Sequence, residues 1–439
     1  MYIKKIKNKI PETIKNILKP FYFKLKSIIE NMKIKKQYYY HKYNLQKVKN
    51  KVKKQKKINI AFIVLNSSIW KYDELYKMME NDDRYNPIIL ICPFTRYGKK
   101  SMLNEIEKCY NMFLNKGFNT IKLYNTDEET YINVKDKFKP DIIFFTNPYS
   151  NKTKSKYYIS NFPDILSCYT HYSFHVCNRN ETMYNSLFNN LLWKAFYETE
   201  IHKEIAKKYS RNNAKNVVVS GYPGIDRLEY GKSIVLNKWK KQNFKKIIWA
   251  PHHSIQKNDE LKYSNFLRYH KFMFDIAQKY EERIQIAFKP HPFLKNKLYN
   301  HNNWGRTRTD EYYRKWAQLS NGQLETDEYV ELFNSSDAMI FDSASFTAEY
   351  LYCGKPSLFL YSDENVSDRF NEFGKLALKQ HYTGYNKKDI KNFIEDVINE
   401  KDKKEKSRRE FYNKYLIPPD GNKASKNIMN DLNNSIFGG

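Results

Sequence analysis

Apolar runs of strand length alternate with stretches of helical periodicity from Ile58 onward. The runs at 58–65, 87–93, 120–123, 142–146, 166–172, 195–198 and 217–220 are rich in β-branched and aromatic residues, as strands buried on both faces are. Helical segments between them, such as 103–113, predict a parallel sheet covered on both sides. Gly221-Tyr-Pro223-Gly224-Ile-Asp226 then places two glycines and a proline within four residues, a turn suited to a hinge. A second series of strands follows at 247–250, 284–288, 338–341 and 357–360, with a short helix at 325–333 and a charged helical region from Asp389, broken at Pro418-Pro419. The expected fold class is α/β: two Rossmann-like domains, residues 58–225 and 226–439, facing each other across a cleft.

The segment from Asp337 to Tyr361 organises the second domain. Its apolar run 338–341 leads into Asp342-Ser343-Ala-Ser345-Phe-Thr347-Ala-Glu349, then Gly354-Lys-Pro356 and a second apolar run, which reads as a βαβ unit. The helix of such a unit starts beyond the carboxyl end of the strand, where its free N–H groups and positive dipole end favour an anion. Ser343, Ser345 and Thr347 are placed to cap that helix and to donate to phosphate oxygens. Glu349, one turn in, is placed to accept from a ribose hydroxyl.

The segment before residue 58 follows another pattern. Ile17, Leu18, Phe21, Leu25, Ile28, Ile29 and Met32 recur at helical spacing, Lys15, Lys19, Lys24, Lys26 and Lys33 fall largely between them, and Pro20 is expected to kink the helix. Residues 1–57 hold nineteen lysines against two acids, a net +17 of the chain's +29, so the basic excess describes what this tail touches more than the rest of the chain. A lysine face beside an apolar face suits a helix lying on an anionic membrane surface. The Lys-rich stretch 47–57 reads as the junction to the folded part. No recognition module accompanies the tail, so no nucleic acid is expected. Neither a run of about 20 apolar residues nor a leader with a small-residue cleavage site is present, so neither a spanning helix nor a signal peptide is expected. Five cysteines without a CxxC pair point to reduced thiols, not to a disulfide framework or a zinc site.

Three strand ends in the second domain carry polar punctuation: Ala250-Pro251-His252-His253-Ser254, Lys289-Pro290-His291-Pro292 and Asp342-Ser343-Ala-Ser345. In a parallel sheet these ends lie along one edge, where ligands bind. Imidazoles, an ammonium and a helix start together suit a diphosphate. The first domain offers His171 and His175 directly after a strand, and either one could take a proton from an acceptor hydroxyl. No Walker A loop, GxGxxG, HExxH or DxD pair in a fitting context appears, so neither a cofactor nor a metal is called for and the phosphate charge is left to donors and dipoles.

Trp249-Ala-Pro251-His252-His253-Ser254, Lys289-Pro-His291-Pro292 and Asp342-Ser343-Ala-Ser345-Phe-Thr-Ala-Glu349-Tyr, with Gly354-Lys-Pro356, resemble the CDP-glycerol glycerophosphotransferases, the teichoic-acid and capsule polymerases and primases of GT-B fold. Gly221-Tyr-Pro223-Gly-Ile-Asp226 resembles their interdomain motif. The likeness runs from about residue 215 to 365. It implies that His291 contacts the donor pyrophosphate and that Ser345 and Glu349 fall on phosphate and ribose contacts. It further implies transfer of glycerophosphate, or a related polyol phosphate, from a CDP-activated donor to a hydroxyl of a lipid-linked or polysaccharide acceptor, with release of CMP. Such enzymes are cytoplasmic and peripherally attached to the inner face of the cell membrane, which agrees with the basic tail. Two departures stand out: His252-His253 replaces a motif that often carries arginine, and the usual His-Gly pair of the first domain is missing. The competing readings are a GT-B glycosyltransferase using a nucleotide sugar, with a nucleotide-sugar 2-epimerase as a further relative, and a non-catalytic membrane- or nucleic-acid-binding protein.

Overall fold

The computed structural model describes residues 12–228, 230–231, 239–326 and 328–438. The first eleven residues of the basic tail, and Asp327 within the expected 325–333 helix, lie outside the described residues.

Two parallel sheets form the frame. The first contains β1 (Ile58–Val64), β2 (Tyr85–Ile91), β3 (Thr120–Lys122), β6 (Ile142–Phe145), β7 (Leu166–Thr170), β8 (Lys194–Tyr197) and β9 (Val217–Val219), in the order 3-2-1-6-7-8-9; β4 (Tyr124–Asn125) and β5 (Thr130–Tyr131) make a separate small ribbon. The second contains β10 (Lys245–Ala250), β11 (Ile284–Phe288), β12 (Gly322–Leu324), β13 (Ala338–Phe341), β14 (Ser357–Leu360) and β15 (Tyr382–Gly384), in the order 12-11-10-13-14-15. Each sheet reverses direction beside its first strand, which opens a crevice between β1 and β6 in one and between β10 and β13 in the other. Central strands such as Ile142–Phe145 and Ala338–Phe341 are buried at every residue, which explains their unbroken apolar sequence.

The carboxyl edges of the sheets meet. Phe174, in the loop after β7, donates its N–H to Glu349 Oε1 (3.2 Å), and its ring packs on Tyr222, Tyr352 and Phe373. Asn371 N–H donates to the carbonyl of Val176 (2.8 Å), and Arg179 pairs with Glu260 (2.6 Å). Lys71, after β1, reaches Tyr329 Oη (3.2 Å).

The hinge motif has a structural reason. Gly221 takes φ +88°, and a Cβ there would stand 2.8 Å from Pro418. Asp226 accepts from the N–H groups of Ala424 (2.9 Å) and Ser425 (2.8 Å), so it caps a helix almost two hundred residues away. Its place in the sequence assigns that helix, Ala424–Phe437, to the second domain. It packs on the first sheet instead, through Ile428, Met429, Leu432 and Ile436, because these residues form an apolar face that completes the core around Ile58, Tyr85 and Met79.

The tail also differs from expectation. A single helix, α1 (Glu12–Lys53), runs through Pro20 and through most of the stretch read as a junction. Glu30, Ile34, Gln37, His41, Asn44 and Val48 recur every three or four residues on one face. Along that face Glu30 pairs with Arg211, Gln37 and Asn44 donate to the Pro163 carbonyl, and Val48 enters the core.

Candidate active site

The crevice of the second sheet is closed by a carboxylate. Asp342, at the end of β13, accepts from His252 N–H (2.5 Å) and from Asn265 N–H, which fixes the loop after β10 across the switch point. Burial pushes its pKa up to about 7, and the N–H donors from His252 and Asn265 work against that shift. His291 N–H donates to the Pro251 carbonyl (3.1 Å), which ties the loop after β11 to the same place.

These bonds bring three imidazoles together. Ring centroids lie 4.2 Å apart for His252 and His253, 4.2 Å for His253 and His291, and 5.1 Å for His252 and His291. One nitrogen from each ring falls within 4.8 Å of the others, a spacing that a metal ion could bridge. The hydrogen bonds determine what the cluster offers. Ser254 N–H donates to His252 Nδ1 (3.2 Å) and Phe293 N–H donates to His291 Nδ1 (3.1 Å). Each Nδ1 is therefore an acceptor, and in the neutral ring the proton sits on Nε2. A metal-binding histidine shows the reverse, with its second nitrogen donating outward. His252 and His291 thus present N–H donors, the chemistry of an anion cradle.

Burial, then the neighbouring histidines and lysines, holds His252 and His291 well below the ordinary histidine range. Burial and then Lys297 lower His253 to about 4. All three rings are neutral near pH 7, so the cradle is built from dipoles until a phosphate arrives. A stability consequence follows. With a folded pKa near 4 against an unfolded 6.5, His253 leaves the folded protein fully stable above pH 6.5 and costs stability as pH falls toward 4. His253→Gln is expected to reduce the acid slope of the urea-unfolding free energy between pH 6.5 and 4, by up to about 1.4 kcal/mol per pH unit.

The other sites read from sequence are placed as follows. Lys289 and Ser343 are buried, and Ser345 is half-buried at the start of the helix Phe346–Glu349, which continues as a 3₁₀ turn to Cys353 and ends at Gly354 (φ +70°). Ser345 makes no side-chain cap. Thr347 Oγ1 is buried with no hydrogen-bond partner, and so is Glu349 Oε2, while the other Glu349 oxygen takes the Phe174 N–H.

The first lobe holds a second constellation at the end of β7. His171 Nδ1 lies 2.9 and 3.0 Å from the two oxygens of Glu198, which also accepts from His175 N–H (3.0 Å). Burial raises the Glu198 pKa, but His171, His202 and the hydrogen bond from His171 outweigh it and hold the carboxyl at about 2. A carboxylate on Nδ1 keeps the proton there and leaves a lone pair on Nε2, which is buried and has no partner. His171 lines a cavity of about 50 Å³ with Tyr149, Tyr169 and Met183. His175 is held differently: its Nδ1 contacts Tyr184 Oη at 2.7 Å, and burial followed by His171 lowers its pKa well below the ordinary value. Glu198 was not singled out from sequence. Its only signal there is a charge ending the apolar run Ala195-Phe-Tyr.

Two Rossmann-like sheets with opposed carboxyl edges define the GT-B architecture, and the solved structures agree. S. aureus MnaA in its UDP co-structure aligns with TM-score 0.55 at 16% identity, covering 87% of this chain and 97% of that chain. A putative UDP-N-acetylglucosamine 2-epimerase from Listeria monocytogenes aligns with TM-score 0.53 at 15%, covering 86% and 96%. A variant of the wall teichoic acid polymerase TagF aligns with TM-score 0.53 at 14%, covering 96% and 98%. Comparison with curated protein sequences returns no match. The fold places the chain among proteins of GT-B architecture. Residues 179–434, more than half of the chain, match the CDP-Glycerol:Poly(glycerophosphate) glycerophosphotransferase family, and the chain belongs to it. It is a glycerophosphotransferase-like enzyme with CDP-glycerol as donor. His171 and His175 lie outside the matched stretch.

Proposed function

We propose that the enzyme transfers glycerophosphate to the hydroxyl of a lipid-linked or polymeric acceptor, with His171 as general base. The observation that carries this reading is His171, a residue lining a cavity, with its Nδ1 held by Glu198 and its Nε2 buried without a partner. The acceptor hydroxyl gives its proton to Nε2, and its oxygen bonds to the glycerol-bearing phosphorus of CDP-glycerol. The bond from that phosphorus to CMP breaks, and CMP leaves with the electron pair. Glu198 keeps His171 in the accepting tautomer and stabilises the imidazolium that forms. The Nε2–H groups of His252 and His291, with His253, meet the charge on the leaving phosphate, and Lys289, Ser343, Ser345 and Thr347 surround the same strand edge. Glu349 Oε2 is available to a ribose hydroxyl. His175 Nε2 is likewise buried without a partner, but its Nδ1 faces a phenol, Tyr184 Oη at 2.7 Å, where that of His171 faces the Glu198 carboxylate that would stabilise an imidazolium.

The membrane reading rests on α1. Leu18, Phe21, Tyr22, Leu25, Ile28, Ile29 and Met32 are exposed, Phe21 at 70% and Met32 at 65%, on the side of the helix away from the docked face. Lys19, Lys24, Lys26 and Lys33 flank them. Among the described residues no helix is long and apolar enough to cross a membrane. The helix therefore lies along an anionic leaflet, and the enzyme works from the cytoplasmic face in building an envelope or capsule polymer. The test uses labelled CDP-glycerol with an acceptor anchored in phosphatidylglycerol vesicles, beside a soluble hydroxyl acceptor. The wild type is expected to label both. Leu25→Glu/Ile29→Glu is expected to keep the soluble reaction and to lose about tenfold or more on vesicles. Equal loss on both acceptors would contradict the membrane role.

A further inference from the structure

His171 shares its cavity with two other residues that each carry a buried polar atom without a partner. Tyr169 and Asn189 line the same space, and Tyr169 Oη and Asn189 Oδ1 lack a hydrogen-bond partner, as His171 Nε2 does. Tyr169 and His171 are 1% exposed and Asn189 is 4% exposed, so bulk water does not reach these atoms. The Tyr169 ring stands edge-on to His171, with centroids 5.8 Å apart, and edge-on to Phe188 at 5.1 Å. Asn189 is oriented by its other contacts. Its Nδ2 donates to the Met183 carbonyl (2.5 Å), and its backbone N–H donates to Ser186 Oγ (3.2 Å), the cap of the short helix Leu187–Leu191. A carbonyl on one side of the amide fixes Nδ2 there and leaves Oδ1 as the free acceptor.

Unpaired polar atoms at this depth cost stability, and three among the residues of one cavity mark a place that a polar ligand or water completes. Their chemistry selects the ligand. His171 Nε2 and Asn189 Oδ1 each need a donor. Burial pushes the Tyr169 pKa well above its ordinary value, so the phenol keeps its O–H and can donate. Among the described residues no acid, lysine or arginine lines the cavity, so it offers nothing to a charged group. A lone hydroxyl has one proton and satisfies His171 or Asn189, never both.

We propose that this cavity reads a vicinal diol: one hydroxyl of the acceptor meets His171, and the hydroxyl on the next carbon is held by Asn189 and Tyr169. The assignment rests on the reading of His171 as the base. The second hydroxyl gives its proton to Asn189 Oδ1 and accepts the O–H of Tyr169, so it is used as donor and acceptor at once. At about 50 Å³ the cavity takes the end of an open polyol chain and not a sugar ring. Tyr169 and Asn189 thereby set acceptor specificity. An acceptor with a lone hydroxyl leaves Asn189 Oδ1 unpaired in a site closed to water, the situation in which a missing hydroxyl is rejected most strongly.

The test measures kcat/KM with CDP-glycerol as donor and two soluble, uncharged acceptors. One is the butyl ether of glycerol, which ends in a vicinal diol, and the other is the butyl ether of ethylene glycol, which ends in a lone hydroxyl. The wild type is expected to favour the diol by about 100-fold or more. Tyr169→Phe removes an oxygen that bonds to nothing else in the protein, and is expected to lower that ratio about tenfold. Tyr169→Phe/Asn189→Ala is expected to bring the two acceptors close to equality. His171→Asn lowers kcat on both acceptors and leaves the ratio high, so failure of the base assignment is read separately from failure of the diol site. Equal use of the two acceptors by the wild type, or a loss of the same size on both with Tyr169→Phe, would overturn the proposal.

Discussion

Replacing His171 by asparagine is expected to lower kcat by about 100- to 10,000-fold while changing KM for CDP-glycerol by no more than about twofold. The large effect follows from a single unpartnered nitrogen, the only function of which in this scheme is to accept the acceptor proton. Asparagine retains a polar side chain of similar reach, so the loss reports basicity and not folding. Glu198→Gln is expected to act through the same atom. A glutamine can donate to Nδ1 and favour the opposite tautomer, so its kcat should fall as well. Steady-state rates with saturating CDP-glycerol check both. If His171→Asn retains wild-type kcat and His175→Asn does not, the base is the other histidine.

The second large effect is at the opposite side of the cleft. His291→Ala is expected to reduce kcat by about 100- to 1,000-fold, the cost of removing one donor from a charge-stabilising site. It should also leave His252 and His253 without the ring that packs on both. His291→Gln, which keeps an N–H near the same position, is expected to recover part of the rate. A metal role predicts another pattern: glutamine would be as damaging as alanine, and added Zn²⁺ would change the wild-type rate.

Much of this arrangement was legible in the residues. The runs of Ile, Val and Phe gave the long central strands, since a strand buried on both faces leaves no room for polar alternation. Their polar ends marked the sheet edge where His252, His253 and His291 gather. The three-residue edge strands Gly322–Leu324 and Tyr382–Gly384 escaped notice because their apolar content is too low to stand out. The helical course of residues 47–53 was hidden by lysines. Val48 and Val52 pack inward and Lys51 pairs with Asp141, so the charge count says little about the buried face. The Glu198–His171 pair was invisible for another reason. Residues 27 positions apart meet only because β7 and β8 are neighbours in the sheet, and sequence spacing carries no trace of that pairing.

In the proposed reaction an acceptor oxygen attacks phosphorus and CMP is the group that leaves. Chromatography of the nucleotide released from labelled CDP-glycerol, with the label in the acceptor counted beside it, tests this most directly. One CMP for each glycerophosphate transferred, and neither product with His171→Asn, is the result predicted. Release of CDP, or label transfer from a UDP-sugar in place of CDP-glycerol, would contradict it.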